Sequence, residues 1–190
     1  LKEKEFFTFS LQEPRLPSAS PQANGWQAYP DFSFDDISSF KSNLYFLDRE
    51  KEELIKYPHL KNFEWGFPQV KKITGAESLA IDGNIWFLNK DNSISKYQAG
   101  NLQQVIKLEI FPYPKDFSKI FTGERTPSLP YLYILEPIQK RVVILEKSGE
   151  IFKQFQSDLF DNLLDFAISA DGKTIYLLNG LKVYQIKYTF

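Results

Sequence analysis

The chain contains no cysteine. A disulfide, a thiolate nucleophile and a Cys-ligated metal are therefore excluded. It contains one histidine, His59, which removes most catalytic triads and every metal centre that needs several imidazoles. His59 sits in Pro58-His59-Leu60-Lys61 and reads as a surface loop residue. Methionine is also missing and the sequence opens on Leu1, so we expect a piece of a longer protein. No apolar run approaches the roughly 20 residues a membrane-spanning helix requires, and no signal peptide is visible. Neither sign of charge is in excess: 23 basic and 24 acidic residues leave a net charge of −1. That gives no basic footprint for nucleic acid or anionic lipid, and we expect neither as a partner. P-loop, nucleophile-elbow and dinucleotide glycine motifs do not occur.

Aromatic residues are plentiful, with 18 Phe and 10 Tyr. Flat and branched side chains pack well on a pleated surface, which favours strands. One apolar word recurs: Leu44-Tyr45-Phe46-Leu47-Asp48, Ile85-Trp86-Phe87-Leu88-Asn89, Leu132-Tyr133-Ile134-Leu135-Glu136 and Ile175-Tyr176-Leu177-Leu178-Asn179. The central aromatics Tyr45, Trp86, Tyr133 and Tyr176 are separated by 41, 47 and 43 residues. Each word is apolar on both faces, whereas a sheet with one wet face alternates. Strands repeating with a period in the forties predict an all-β fold of four β-propeller blades.

The expected organisation is a leading segment, residues 1–30, followed by blades over residues 31–190. Phe6 to Leu11 reads as a strand, and the Pro/Ser-rich stretch after it as a connection holding Trp26 and Tyr29. The blades fall at about 31–73, 74–111, 112–157 and 158–190. Their outermost strands are expected at Gln69 to Ile73, Val105 to Leu108 and Ile151 to Phe155. The fourth blade has no room for an outer strand, and Phe6 to Leu11 is a candidate for it. Asp158 to Leu164 is the best helix candidate. An open arc of four blades would leave two apolar faces wet. At about 400 Å² each and about 25 cal/mol per Å², that forfeits on the order of 10 kcal/mol per face. Net stabilities are about 5–15 kcal/mol, so a larger ring, six-bladed or so, is expected, with its remaining blades upstream.

The third repeat, from Leu132 through Glu136 and Lys140-Arg141-Val142-Val143-Ile144-Leu145 to Ser148-Gly149-Glu150-Ile151, resembles an NHL-type repeat. Glu136 stands at the usual acidic position, and Pro137-Ile138-Gln139 departs from the usual turn. Ser78-Leu79-Ala80-Ile81-Asp82-Gly83-Asn84-Ile85-Trp86 with Lys96-Tyr97 is similar to the C-terminal propeller of uncharacterised candidate-phylum bacterial proteins. Some of those carry an upstream phosphatase-like domain and a membrane-spanning helix. The resemblance implies a non-catalytic module of an extracytoplasmic, membrane-anchored protein.

Candidate contact residues lie in two loops. Phe63-Glu64-Trp65-Gly66-Phe67-Pro68 places Trp65 and Phe67 beside Gly and Pro, a pattern suited to a sticky patch or to covering a seam between blades. Arg125 lies in Gly123-Glu124-Arg125-Thr126-Pro127, an insertion in the longest repeat. Asp31, Asp35 and Asp36, and Asp158, Asp161 and Asp165, are expected to cap turns rather than bind metal. Asp48, Asn89, Glu136 and Asn179 end the same strand in each repeat, which argues for a structural task. Lys71-Lys72 and Lys140-Arg141 read as ordinary solvated pairs. No cofactor, catalytic residue or metal ligand is expected. The expected function is a non-enzymatic scaffold or recognition module whose loops bind a protein, peptide or glycan. The alternative is a propeller hydrolase or lyase with a central oxygen-ligated metal.

Overall fold

The computed structural model describes residues 34–58, 69–123 and 129–189. Four sheets follow one another along the chain, and every strand pairing in them is antiparallel. β1 (Asp36–Phe40), β2 (Asn43–Asp48), β3 (Glu53–Tyr57) and β4 (Gln69–Lys72) make the first. β5 (Ala76–Ile81), β6 (Ile85–Asn89), β7 (Ile94–Gln98) and β8 (Asn101–Ile106) make the second. The third holds β9 (Lys119–Phe121), β10 (Tyr131–Glu136), β11 (Arg141–Glu146) and β12 (Ile151–Gln156). The fourth has β13 (Leu163–Ile168), β14 (Thr174–Asn179) and β15 (Lys182–Lys187). Each sheet meanders in chain order, as a propeller blade does. No helix is present among the described residues, and none is long and apolar enough to cross a membrane.

Three apolar clusters fill the seams between consecutive blades, and one rule places the residues in them. In the second strand of a blade, the central aromatic and the Leu two residues on face the next blade. The residues flanking that aromatic face the previous one. Tyr45 and Leu47 therefore meet Leu79 and Phe87. Trp86 and Leu88 meet Ile120, Leu132 and Ile134. Tyr133 and Leu135 meet Ile168, Ile175 and Leu177. The two-residue strand period sends alternate side chains to opposite blades, which is why these words are apolar throughout.

Polar contacts brace the innermost strands. The Asp36 carboxylate accepts hydrogen bonds from Ser78 Oγ at 2.6 Å and the Leu79 amide at 2.9 Å. Ser78 Oγ accepts one from the Ile120 amide at 3.2 Å, and Lys119 pairs with Asp165 at 2.9 Å. So two of the acids read as turn caps, Asp36 and Asp165, tie neighbouring blades together. A tight turn also locks one seam. Gly149 has φ +101°, and a Cβ there would lie 2.3 Å from Ile106 Cγ2.

Two expected elements are displaced. Asp158 to Leu164 forms turns that lead into β13 rather than a helix. The Asn179 carboxamide accepts the Asn162 amide at 2.8 Å, and Phe160 and Leu163 are buried against the third blade. The outer strand expected at Val105 to Leu108 runs earlier, Asn101–Ile106. Ala99 and Gly100 both take positive φ, so the chain reverses at once. An outermost strand needs no apolar periodicity, and the polar Asn101, Gln103 and Gln104 hid its start. Phe6 to Leu11, Trp26, Tyr29 and His59 lie outside the described residues.

Candidate functional site

Trp65, Phe67 and Arg125 also lie outside the described residues. Within the described ones, the segment with the features of a contact site is the loop between β8 and β9, residues 107–118. Ile110 and Phe117 pin it to the seam between blades two and three, where both are buried. Between those anchors Phe111 and Tyr113 point outward, each 77% exposed. Their rings meet edge to face, with centroids 6.4 Å apart. Ile138, in the β10–β11 turn, is exposed as well.

A buried ion pair holds the loop. Glu136 and Arg141 side chains are fully buried, with Nε to Oε2 at 2.6 Å. Arg141 donates a second bond to the Pro112 carbonyl at 2.8 Å and a third to Gln154 Oε1 at 2.9 Å. Gln154 in turn donates to the Phe111 carbonyl at 3.2 Å. Glu136 Oε1 accepts the Lys115 amide at 2.6 Å and Gln139 Nε2 at 2.9 Å, and Gln139 also donates to the Tyr113 carbonyl. From the second blade, Asn92 Oδ1 accepts the Phe117 amide at 3.0 Å. The carbonyls of Phe111, Pro112 and Tyr113 are thus all claimed by side chains of the third blade. This backbone is fixed while its aromatic side chains face solvent.

Arg141 corrects the reading of Lys140-Arg141 as a solvated pair. Arg141 starts β11 directly opposite Glu136 at the end of β10, so the hairpin register places the charges side by side. The signal available was their five-residue spacing around a turn. In the sequence the Trp-containing loop at Phe63 to Pro68 is the more conspicuous aromatic cluster, and it overshadows Phe111 and Tyr113. Phe111-Pro112-Tyr113-Pro114, two aromatics each followed by proline between strands, was the pattern to notice.

Beside Tyr113 lies a cleft of about 300 Å³, walled by Asp91, Asn92, Ser93, Lys107, Leu108, Tyr113 and Pro114. Asp91 Oδ1 accepts the Ser93 hydroxyl at 2.6 Å and the Ser93 amide at 3.0 Å. Those bonds hold its carboxyl below the usual range, and the Lys107 charge adds to the effect. A second cleft lies along β1, walled among the described residues by Ile37, Ser38, Ser39, Phe40, Lys41, Ile81, Phe121 and Gly123. Among the described residues no three His, Cys, Asp or Glu side chains come together as a metal site would require.

Asp48, Asn89, Glu136 and Asn179 each organise a turn. Asp48 accepts the Lys51 amide at 2.8 Å. Asn89 donates to Ser93 and Ser95 at 2.9 and 2.8 Å. Asn179 donates to Asp161 at 2.8 Å.

No protein-family model matches the chain, and no curated protein matches it. Solved structures do. A glutaminyl cyclase of Myxococcus xanthus aligns with TM-score 0.61 at 10% identity, over 82% of this chain and 73% of that one. Hsv2 of Kluyveromyces lactis aligns with TM-score 0.58 at 9% identity, over 83% of this chain and 49% of that one. A streptogramin B lyase aligns with TM-score 0.52 at 12% identity, covering 80% and 53%. The chain therefore spans about half the length of the last two. This chain has the β-propeller fold. At such identities the likeness carries the fold and no narrower repeat family or activity.

Proposed function

We propose that this propeller is a non-enzymatic recognition module that uses the 107–118 loop as its contact surface. The observation that carries the reading is Phe111 and Tyr113, exposed on a backbone held by a fully buried ion pair. Exposed aromatics on a pre-ordered loop contribute contact area with little ordering cost on binding. Nothing in the loop has to fold first, so rigid display is the mechanism.

The alternative, a propeller hydrolase or lyase with an oxygen-ligated metal near the axis, draws on neighbours whose names describe enzymes, the glutaminyl cyclase and the lyase among them. It requires carboxylates free to face the axis. On the innermost strands, Asp36 and Asp165 are engaged by Ser78, Leu79 and Lys119.

The test screens the intact chain against a glycan array and a displayed peptide library, beside Phe111→Ser/Tyr113→Ser. The expected result is binding in one panel that the double variant loses with its melting temperature unchanged. Binding that survives the double substitution, or none in either panel, counts against the loop. A calcium-dependent rise in melting temperature would favour the enzyme reading.

A further inference from the structure

The cleft beside Tyr113 narrows the class of ligand. Four polar ends in its wall carry no hydrogen bond to the described residues: Asp91 Oδ2, Asn92 Nδ2, Lys107 Nζ and the Tyr113 hydroxyl. They comprise an acceptor-only carboxylate oxygen, an amide donor, an ammonium and a phenol, which serves as both donor and acceptor. Two of the side chains are oriented by their other atoms. Asp91 is held through Oδ1 by Ser93, and Asn92 through Oδ1 by the Phe117 amide. Tyr113 is held through its own carbonyl by Gln139 and braced by the Phe111 ring. The cleft therefore joins an aromatic side chain to a fixed acceptor–donor pair on consecutive residues. Its volume of about 300 Å³ is at the small end of ligand sites. Asp91 and Lys107 carry opposite charges, so the wall as a whole favours neither an anion nor a cation.

We propose that this cleft binds a neutral pyranose at the end of a glycan. The inference rests on the recognition reading above. One face of a pyranose carries C–H groups, and its rim carries hydroxyls that both donate and accept. The C–H face suits the Tyr113 ring. Two neighbouring hydroxyls suit the pair: one donates to Asp91 Oδ2, the other accepts from Asn92 Nδ2. Lys107 donates to a third oxygen. An extended peptide would instead spread over Phe111, Tyr113 and Ile138 without entering the cleft. A peptide ligand would depend on Phe111 and Ile138 and be indifferent to Asp91.

Saturation-transfer NMR with the intact chain and methyl glycosides of glucose, galactose and mannose tests this, with a displayed decapeptide library run in parallel. At least one glycoside should bind. Asp91→Asn keeps the Oδ1 acceptor for Ser93, and Tyr113→Ala leaves the backbone carbonyl for Gln139. Each should weaken glycoside binding at least 10-fold with an unchanged melting temperature, whereas Ile138→Ser should leave it within 2-fold. A peptide that binds and is lost in Phe111→Ser, with no glycoside binding, overturns the carbohydrate assignment and leaves the loop as a recognition surface. Glycoside binding unaltered in Asp91→Asn and Tyr113→Ala overturns the cleft as its site. Binding in neither panel overturns both readings.

Discussion

At the scale of single residues, one repeat position has been solved in different ways. Asn89 and Asn179 fill it with an amide that donates as well as accepts. Glu136 fills it with a carboxylate and therefore needs the buried Arg141. Asp48 also brings a carboxylate but has no arginine opposite. Its register partner is Glu53, and Asp48 Oδ2 and Glu53 Oε2 are buried without hydrogen-bond partners. Opposite outcomes are expected from removing the charge. Asp48→Asn keeps the acceptor for the Lys51 amide and adds a donor beside Glu53. It should leave stability unchanged or raise it by up to about 1.5 kcal/mol. Glu136→Gln strands the Arg141 guanidinium in a fully buried site and should cost about 3–5 kcal/mol. Urea unfolding midpoints of the two variants and the parent measure both. Equal losses at both positions would show that the ion pair has no special weight.

Among elements, the turns decide how blades grip one another. The β5–β6 turn offers Asp82, whose carboxylate takes Lys147 Nζ at 2.6 Å from the β11–β12 turn of the next blade. Trp86 Nε1 and the Asn84 amide each add a bond at 3.0 Å. Burial alone would push this carboxyl up. The bonds from Lys147, Trp86 and Asn84, with the Lys147 charge, outweigh burial and hold it below the ordinary carboxylate range. A carboxyl depressed in the folded state stabilises fully above its ordinary value and loses that contribution as pH falls through the folded one. Lys147→Met should therefore cost about 2 kcal/mol at pH 7, since the donors of Asn84 and Trp86 stay on a buried carboxylate. The gap to the parent should begin to narrow as pH falls below the ordinary carboxylate range and close further as pH falls through the depressed folded value of Asp82. Guanidinium midpoints at pH 7, 5 and 3 read this out. A gap of constant size would mean that Lys147 acts through packing alone.

For the whole molecule, the seam rule has an end. Tyr45, Trp86 and Tyr133 are buried against the following blade. Tyr176 and Leu178 occupy the same two positions of the fourth blade and are 40% and 38% exposed, with Val183 beside them at 65%. Burial of this position needs another blade. A larger ring would supply one, and this face is where its next blade would pack. An apolar face of this kind promotes association when left open. Sedimentation of the isolated chain should show concentration-dependent self-association. Leu178→Lys/Val183→Lys should abolish it and shift the unfolding free energy by less than about 1 kcal/mol, as surface changes do. A parent that stays monomeric at every concentration would count against the larger ring.

Much of the architecture was legible because it rests on periodicity. Four apolar words spaced by 41 to 47 residues leave little choice but strands that are covered on both faces. Turn residues such as Gly149 and Gly172 mark reversals by their backbone freedom alone. The candidate site was not legible in that way. Phe111 and Tyr113 resemble any other aromatic in a chain rich in them. Arg141 beside Lys140 looks like ordinary surface charge. Burial and exposure depend on which blades meet, and those contacts join residues far apart in sequence. Local pattern thus determined the strands and their repeat. Only packing between repeats decided which aromatics became core, which charge went inside, and which loop was held out to solvent.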